Sequence, residues 1–302
     1  MPFLAPNISF ERHAATSVTG RAPVVLEKSW LQVLFGKFQN KNILLMLSLT
    51  CMAKKRLIAR IDVKNEYAIK GIQLEGLRKV GNPNDLSQRY YRNGIDEILF
   101  MDAVASLYGR SNLFEIIRLA AREVFVPITL GGGIRLVDDI EAALHSGADK
   151  VTLNTQAIRT PDFISEASKI FGSQCILGSI EAKRKGGSWE AYCDTGRNET
   201  GLDAIEWAKR LEGLGVGEII VTSIDQEGTK KGFDIPLVKA ICDAVSVPVI
   251  ACGGAGTPAH ILDLFQKTTV DAVAIASILH YNLFSIEALK SFLLLQNIQV
   301  RV

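Results

Sequence analysis

The feature that most limits the fold of this chain is a regular alternation of short apolar runs with amphipathic helical patterns, from residue 57 onward. Apolar runs of this length predict strands, and apolar residues at three- and four-residue spacing predict helices. The predicted strands lie at residues 57–63, 98–102, 127–130, 151–154, 175–181, 218–223, 248–252 and 272–277. A last helix is predicted at residues 285–296. Eight β/α units over about 250 residues are typical of a (β/α)8 barrel, and we predict this α/β fold for residues 52–302.

The order of distinctive residues repeats between the two halves of the predicted barrel. The first half contains Asp62, Asp102, residues 131–133 and Asn154, and the second half contains Glu181, Asp225, residues 253–254 and Ser277. The separations within the two series nearly agree, which indicates an internal repeat. The chain is therefore predicted to consist of two similar half-barrels with equivalent residues on opposite sides of the rim.

Two glycine loops follow the third and the seventh predicted strand, at residues 129–135 and 251–256. Glycine lets backbone N–H groups approach an anion closely, and a helix N-terminus follows each loop. The candidate phosphate-binding residues in these loops and after the last strand are Gly132, Gly133, Gly253, Gly254, Ala276 and Ser277. Their symmetric recurrence favours a substrate that is phosphorylated at both ends. The alternative is that the glycines only form tight turns between strand and helix.

Two carboxylates occupy equivalent positions on the predicted rim. Asp62 ends the first apolar strand, and Glu181 ends the fifth. In a (β/α)8 barrel the C-terminal ends of the strands form the active site. Two acids that face each other there can have different pKa values, so that one acts as a general acid and the other as a general base. Taken singly, each acid is equally well interpreted as a structural ion-pair partner.

Four charged residues stand just before apolar runs, at the opposite ends of the strands. They are Arg56, Glu97, Lys150 and Glu218. Two are positive and two are negative, so they can form a ring that gates the axial end of the barrel. Solvated charges at strand starts are common, and that simpler interpretation stays open.

Composition excludes several classes of function. Lys and Arg are interleaved with Asp and Glu through the main body, which argues against a nucleic-acid partner. The five cysteines are scattered without a CxxC spacing, and the four histidines lack a ligand spacing. We therefore expect no disulfide framework, no metal and no cofactor. The apolar run at residues 43–51 is too short to span a membrane, and we expect a cytoplasmic protein.

Residues 1–51 show no sustained apolar period and are predicted to be a leader outside the fold. They hold five Lys and Arg against two Asp and Glu, so the excess positive charge of the chain lies there. Met52 stands immediately before the first strand and has the position of a natural start. The leader is accordingly predicted to be an upstream extension, and the alternative is a genuine appendage.

Together, these motifs resemble the cyclase subunit of imidazole glycerol phosphate synthase, an enzyme of histidine biosynthesis. The resemblance covers about residues 54–302 and is carried by residues 62–64, 70–71, 131–134, 148–150, 171–175, 182–184, 217–219 and 253–256. It implies a barrel that docks on a glutaminase subunit with its N-terminal face and receives ammonia through the axial gate. The ammonia attacks a bisphosphorylated aminoimidazole-carboxamide ribulosyl substrate, which gives imidazole glycerol phosphate and an aminoimidazole carboxamide ribotide.

The resemblance also implies roles for single residues. Asp62 matches a catalytic acid/base, Lys70 matches a first-loop lysine near the substrate, and Asn154 joins the first glycine loop in one phosphate site. The implied phosphate-binding residues further include Glu227, Gly228 and Cys252. The four charged residues before the strands match the ammonia gate of the family.

Three positions depart from the family pattern. Glu181 stands in place of the second catalytic aspartate, Glu227 in place of a loop aspartate, and Cys252 in place of a serine. One extra methylene moves a carboxylate by about 1.5 Å, and a misplacement of about 1 Å can cost on the order of 100-fold in rate. These departures, with residues 71–78 and 179–184, resemble a branch associated with surface-polysaccharide sugar amidation. In that branch the barrel conducts ammonia to a separate amidotransferase, so an active cyclase and an ammonia conduit are both open.

Overall fold

The protein is represented by a computed structural model that describes residues 54–103 and 113–301. The predicted leader, residues 1–51, and the start proposed at Met52 lie outside the described residues. Among the described residues, no helix has the length and apolar character needed to cross a membrane.

Eight parallel strands form a closed barrel, as the sequence predicts. They are β1 (Arg56–Lys64), β4 (Glu97–Asp102), β5 (Ile128–Gly131), β6 (Lys150–Leu153), β7 (Ile176–Lys185), β10 (Glu218–Ser223), β11 (Val249–Cys252) and β12 (Ala272–Ile275). Each strand pairs in parallel with the next, β7 pairs with β10, and β12 pairs with β1. The barrel therefore has no free edge between its first and last strands.

Helices follow the strands on the outside of the barrel. They are α1 (Pro83–Arg92), α2 (Leu113–Ala120), α3 (Val137–His145), α4 (Thr155–Arg159), α5 (Asp162–Phe171), α6 (Ala204–Leu214), α7 (Ile235–Ala244), α8 (Pro258–Lys267), α9 (Ser277–His280) and α10 (Ile286–Leu295). The local sequence determines where several of these helices begin. Asn82 precedes α1 and accepts hydrogen bonds from the backbone N–H groups of Asn84 and Asp85, with proline at the first helical position. The main apolar core lies between these helices and the strands.

Two antiparallel hairpins interrupt the predicted alternation of strand and helix. β2 (Tyr67–Ile72) and β3 (Glu75–Gly81) follow β1, while β8 (Ser188–Cys193) and β9 (Asn198–Asp203) follow β7. The expectation that an amphipathic helix comes directly after each strand is therefore wrong at these two places. The hairpins follow the first and fifth barrel strands, which are equivalent in the two halves, and both extend from the rim.

Side chains alternate along β1 between the outer core and the barrel interior, as the two-residue period of a strand requires. Leu57, Ala59, Ile61 and Val63 belong to the core beneath the helices. Ile58 belongs instead to a second apolar cluster, which fills the barrel with Leu99, Leu177, Ile220, Ile250, Cys252, Ala272 and Ala274. This inner layer separates the charged N-terminal end of the barrel from the rim.

The half-barrel repeat is visible in the backbone. Asn154 (φ −122°, ψ −81°) precedes the short helix α4, and Ala276 (φ −130°, ψ −73°) precedes the short helix α9 in nearly the same conformation. The two positions are thus equivalent, which corrects the sequence-based pairing of Asn154 with Ser277. Gly132 and Gly253 also match, with φ values of +88° and +96°.

Candidate functional site

Asp62 lies at the rim end of β1 between two cations. Its carboxylate accepts a hydrogen bond from Arg60 Nε at 2.8 Å and one from Lys70 Nζ at 3.3 Å. The residue is buried. Burial alone would raise the pKa of Asp62, but Arg60 and Lys70 outweigh it and lower this pKa to about 2. Asp62 is therefore a carboxylate at neutral pH.

Glu181, on β7, accepts hydrogen bonds from two uncharged donors among the described residues. Its Oε2 atom accepts from Asn154 Nδ2 at 3.0 Å and from the backbone N–H of Gly196 at 2.7 Å. Burial raises the pKa of Glu181 to about 7, although Arg60 and the Gly196 amide oppose this effect. The two predicted acids therefore differ in protonation, and Glu181 is the one that can both give and take a proton near neutral pH.

Lys70 joins the first hairpin to the loop after β10. Besides Asp62, its ammonium group contacts the Glu227 carboxylate. The backbone N–H of Gln73 donates to the Glu227 carbonyl at 2.7 Å. Gly228 lies against the Gly71 carbonyl, which would be 2.3 Å from a Cβ atom at Gly228. Hairpin β2–β3 thus packs on this loop beside Asp62 and is hydrogen-bonded to it.

The first glycine loop opens into a cavity that also reaches Glu181. Its lining includes Gly132, Gly133, Arg135, Thr152, Asn154, Arg159 and Glu181. The backbone N–H groups of Arg135 and Leu136, which follow the two glycines, donate to Asp139 Oδ2. Gly132 and Gly133 have positive φ values, which glycine adopts at little cost.

Asn154 uses its side-chain N–H groups within the protein. Besides Glu181, its Nδ2 atom donates to the Tyr192 carbonyl at 3.1 Å, and its buried Oδ1 atom has no hydrogen-bond partner within the described part of the chain. The side chain therefore orients the second acid, and its predicted role in phosphate binding stays a prediction.

The second glycine loop is covered by the segment that precedes α7. Gly253, Gly254 and Cys252 are buried, and the Gly254 carbonyl accepts from the backbone N–H of Gly232 at 2.8 Å. Ala276 and Ser277 are buried at the end of β12. The close approach of the two segments gives these glycines a packing role, whether or not they also bind phosphate.

This close approach predicts a large loss of stability for Gly254→Ala. A Cβ atom there would lie 1.9 Å from the Gly232 carbonyl oxygen, at a φ of +106°. We expect the free energy of unfolding, measured in urea, to fall by about 3 kcal/mol. Gly94→Ala is the matched control, because Gly94 also has a positive φ (+82°) but no atom within 4 Å of the place that a Cβ atom would take. An equal loss in both variants would contradict the clash.

The four charged residues at the N-terminal ends of the strands form a closed ring. Arg56 pairs with Glu97 at 2.7 Å and with Glu218, and Lys150 lies 3.3 Å from Glu97 and 3.2 Å from Glu218. Positive and negative charges alternate around the ring. The ring lies at the N-terminal end of the barrel, and the inner apolar layer lies between the ring and the two rim acids.

Sequence reasoning missed two buried residues of the site, Arg60 and His280. Arg60 stands two positions before Asp62 on β1, so strand alternation would have placed it in the barrel interior. His280 lies in α9, with its Nδ1 atom 2.7 Å from the Tyr90 hydroxyl. Burial lowers the pKa of His280 to about 4, so the ring is neutral at pH 7. Within the described part of the chain, no cluster of three or more His, Cys, Asp or Glu could hold a metal.

Comparison with known proteins shows the family of this chain. The profile of a family described as histidine biosynthesis protein matches residues 56–285. The imidazole glycerol phosphate synthase subunit HisF of Legionella pneumophila is 57% identical over 206 residues, 68% of this chain and 97% of that protein. The proteins of the same name from Methanopyrus kandleri and Pyrococcus furiosus are each 46% identical, over 82% and 83% of this chain and 98% and 100% of their own lengths. The chain therefore belongs to the histidine biosynthesis protein family, in the group of proteins named imidazole glycerol phosphate synthase subunit HisF.

Proposed function

We propose that this protein is the cyclase subunit of an imidazole glycerol phosphate synthase. It would use ammonia to convert a bisphosphorylated aminoimidazole-carboxamide ribulosyl substrate to imidazole glycerol phosphate. The observation that carries the proposal is the pair of buried rim acids, of which Asp62 has a lowered pKa and Glu181 a raised pKa, between two equivalent glycine loops. Because the relatives reported above are named for this synthase, we favour the cyclase over the ammonia conduit for sugar amidation.

The site residues divide the work in this proposal. The loop of Gly132 and Gly133 holds one phosphate group, and the loop of Gly253 and Gly254 holds the other. Glu181 transfers protons, because it is the acid that titrates near neutral pH. Asp62, ionised beside two cations, stabilises positive charge that develops on the substrate.

The direct test supplies the purified full chain with an ammonium salt and the bisphosphorylated substrate. We expect imidazole glycerol phosphate to form at a rate that rises with the concentration of free ammonia. A folded protein that forms no product would contradict the cyclase proposal. The ammonia conduit would then become the better hypothesis, and its test is stimulation of a separate amidotransferase.

We also propose that a glutaminase subunit docks on the N-terminal face of the barrel and that the charged ring is the entrance for ammonia. The support is the position of the ring, which closes the barrel at the end opposite the two acids. A cytoplasmic location stays a prediction alongside this partner.

Removing one cation of the ring should affect the reaction with ammonia released from glutamine and the reaction with added ammonium salt differently. In Lys150→Met, one of the two ring cations is lost, and Arg56 is the remaining cation among the described residues that pairs with Glu97 and Glu218. We expect the glutamine-dependent rate of the complex to fall several-fold, while the ammonium-dependent rate stays near that of the wild type. Lys239→Met, which removes an exposed lysine of α7, is the control. An equal fall of both rates would speak against an entrance at this ring.

A further inference from the structure

Arg60 is a buried cation in the barrel interior that the proposed function uses only as one of the two cations beside Asp62. It is 2% exposed and lies on β1 between the apolar layer at Ile58 and the acid Asp62. A guanidinium in such a place is costly unless its charge and its N–H groups are satisfied. Its contacts therefore define what it does.

The guanidinium of Arg60 is fixed on two sides of the barrel. Its Nε atom donates to Asp62 Oδ1 at 2.8 Å, on its own strand. Its Nη1 atom donates to Thr222 Oγ1 at 3.1 Å on β10 and lies 3.4 Å from Cys252 Sγ on β11. Because these anchors are on different strands, the side chain is held across the interior and has little freedom to leave Asp62.

The two rim acids, Asp62 and Glu181, differ in their contacts with buried cations. Asp62 contacts both Arg60 and Lys70, whereas Glu181 accepts its hydrogen bonds from an amide side chain and a backbone N–H. Lys70 is shared with Glu227. Among the described acidic residues, Asp62 is the one with which Arg60 forms an ion pair.

We infer that Arg60 is a positioning residue that holds Asp62 as a permanent carboxylate and thereby leaves proton transfer to Glu181. Arg60, together with Lys70, makes the two acids of the half-barrel repeat unequal. Proton exchange between Glu181 and the substrate then proceeds while Asp62 keeps its negative charge throughout. The kinetic part of this inference rests on the proposed function, and its electrostatic part does not.

Other charged and titratable groups lie close to Asp62 and Glu181 and must be considered with Arg60. They are Lys70, Asp194, Glu227 and His280. Asp194 disfavours a second negative charge at Glu181, and Lys70 supports the ionised form of Asp62. Each of these groups stays in place when Arg60 alone is changed.

The first experiment needs no substrate. The full chain is labelled with ¹³C at the Asp and Glu carboxyl carbons, and the resonances are assigned with Asp62→Asn and Glu181→Gln. We expect the Glu181 resonance to titrate with a midpoint near pH 7 and the Asp62 resonance to stay in its ionised position down to at least pH 5. Titration of Asp62 near neutral pH in the wild type would overturn the inference.

The second experiment changes Arg60. In Arg60→Met we expect the Asp62 midpoint to rise by about 1–3 pH units, the usual effect of one close opposite charge. Arg60→Lys keeps the charge and should retain most of the wild-type titration, even if the methionine variant folds poorly. Arg118→Met, on the exposed face of α2, should leave both midpoints unchanged. An Asp62 midpoint that is indifferent to Arg60→Met in folded protein would also refute the inference.

The kinetic arm measures kcat/KM against pH at a fixed concentration of free ammonia. We expect the wild type to show a limb near pH 7 from Glu181, and Arg60→Met to show a further limb at lower pH as Asp62 begins to titrate. A single unchanged limb in Arg60→Met would contradict the positioning role. Absence of cyclase activity in all variants would count against the proposed function alone, because the carboxyl titration still decides the role of Arg60.

Discussion

Glu181→Gln is expected to lower kcat of the ammonium-dependent cyclase reaction by about 10²–10⁴-fold, the usual contribution of a general acid or base. The amide has the size of the carboxyl group and can still accept hydrogen bonds from Asn154 and Gly196 through its oxygen, so the site should keep its shape. The glutamine lacks the carboxyl proton that Glu181 can give and take near neutral pH. Steady-state rates at pH 7 would measure the effect.

Two further variants make this result specific. Glu206→Gln changes an exposed glutamate of α6 in the same way and should keep the wild-type rate. Glu181→Asp withdraws the carboxylate by about 1.5 Å from Asn154 and Gly196, and a displacement of that size should cost about 100-fold in rate. A gain of activity in Glu181→Asp would mean that the site is arranged for aspartate and that our assignment of Glu181 is wrong.

Much of the barrel could be predicted because its strands are short apolar runs with clear ends. The predicted strand at residues 218–223 has the same bounds as β10, and the others differ by a few residues at their ends. The two hairpins were missed because their strands lie over the rim and mix polar with apolar residues. One local signal was available, since Gly186 and Gly187 form the two-residue connection between β7 and β8.

The sequence predicted which residues form the site better than it predicted the charges around each of them. Strand ends placed Asp62 and Glu181 on the rim, but the sequence could not say which acid has cations beside it. That difference depends on the direction of Arg60 and on hairpin β2–β3, which brings Lys70 to Asp62 and Glu227. Side-chain directions of this kind are set by packing between distant parts of the chain, and a single sequence does not reveal them.

Lys70→Met is expected to lower the free energy of unfolding by about 3–5 kcal/mol, the usual cost of leaving a buried charge without its partner. The Lys70 side chain is 2% exposed and contacts carboxylates of Asp62 and Glu227, whose side chains are 8% and 4% exposed. Asp62 keeps Arg60, but Glu227 loses the only cation with which it forms an ion pair among the described residues. The loss of stability should therefore arise mainly at Glu227.

A double variant separates this charge effect from a loss of packing. In Lys70→Met with Glu227→Gln, the buried carboxylate is replaced by a neutral group of the same size, so most of the lost stability should return. The deficit of Lys70→Met alone should also shrink at pH 5, because an orphaned buried carboxyl can take up a proton. Lys239→Met breaks an exposed 2.9 Å pair with Asp243 and should cost about 1 kcal/mol or less. If urea unfolding showed the double variant to be no more stable than Lys70→Met, the Lys70 side chain would stabilise the site through packing and not through its charge.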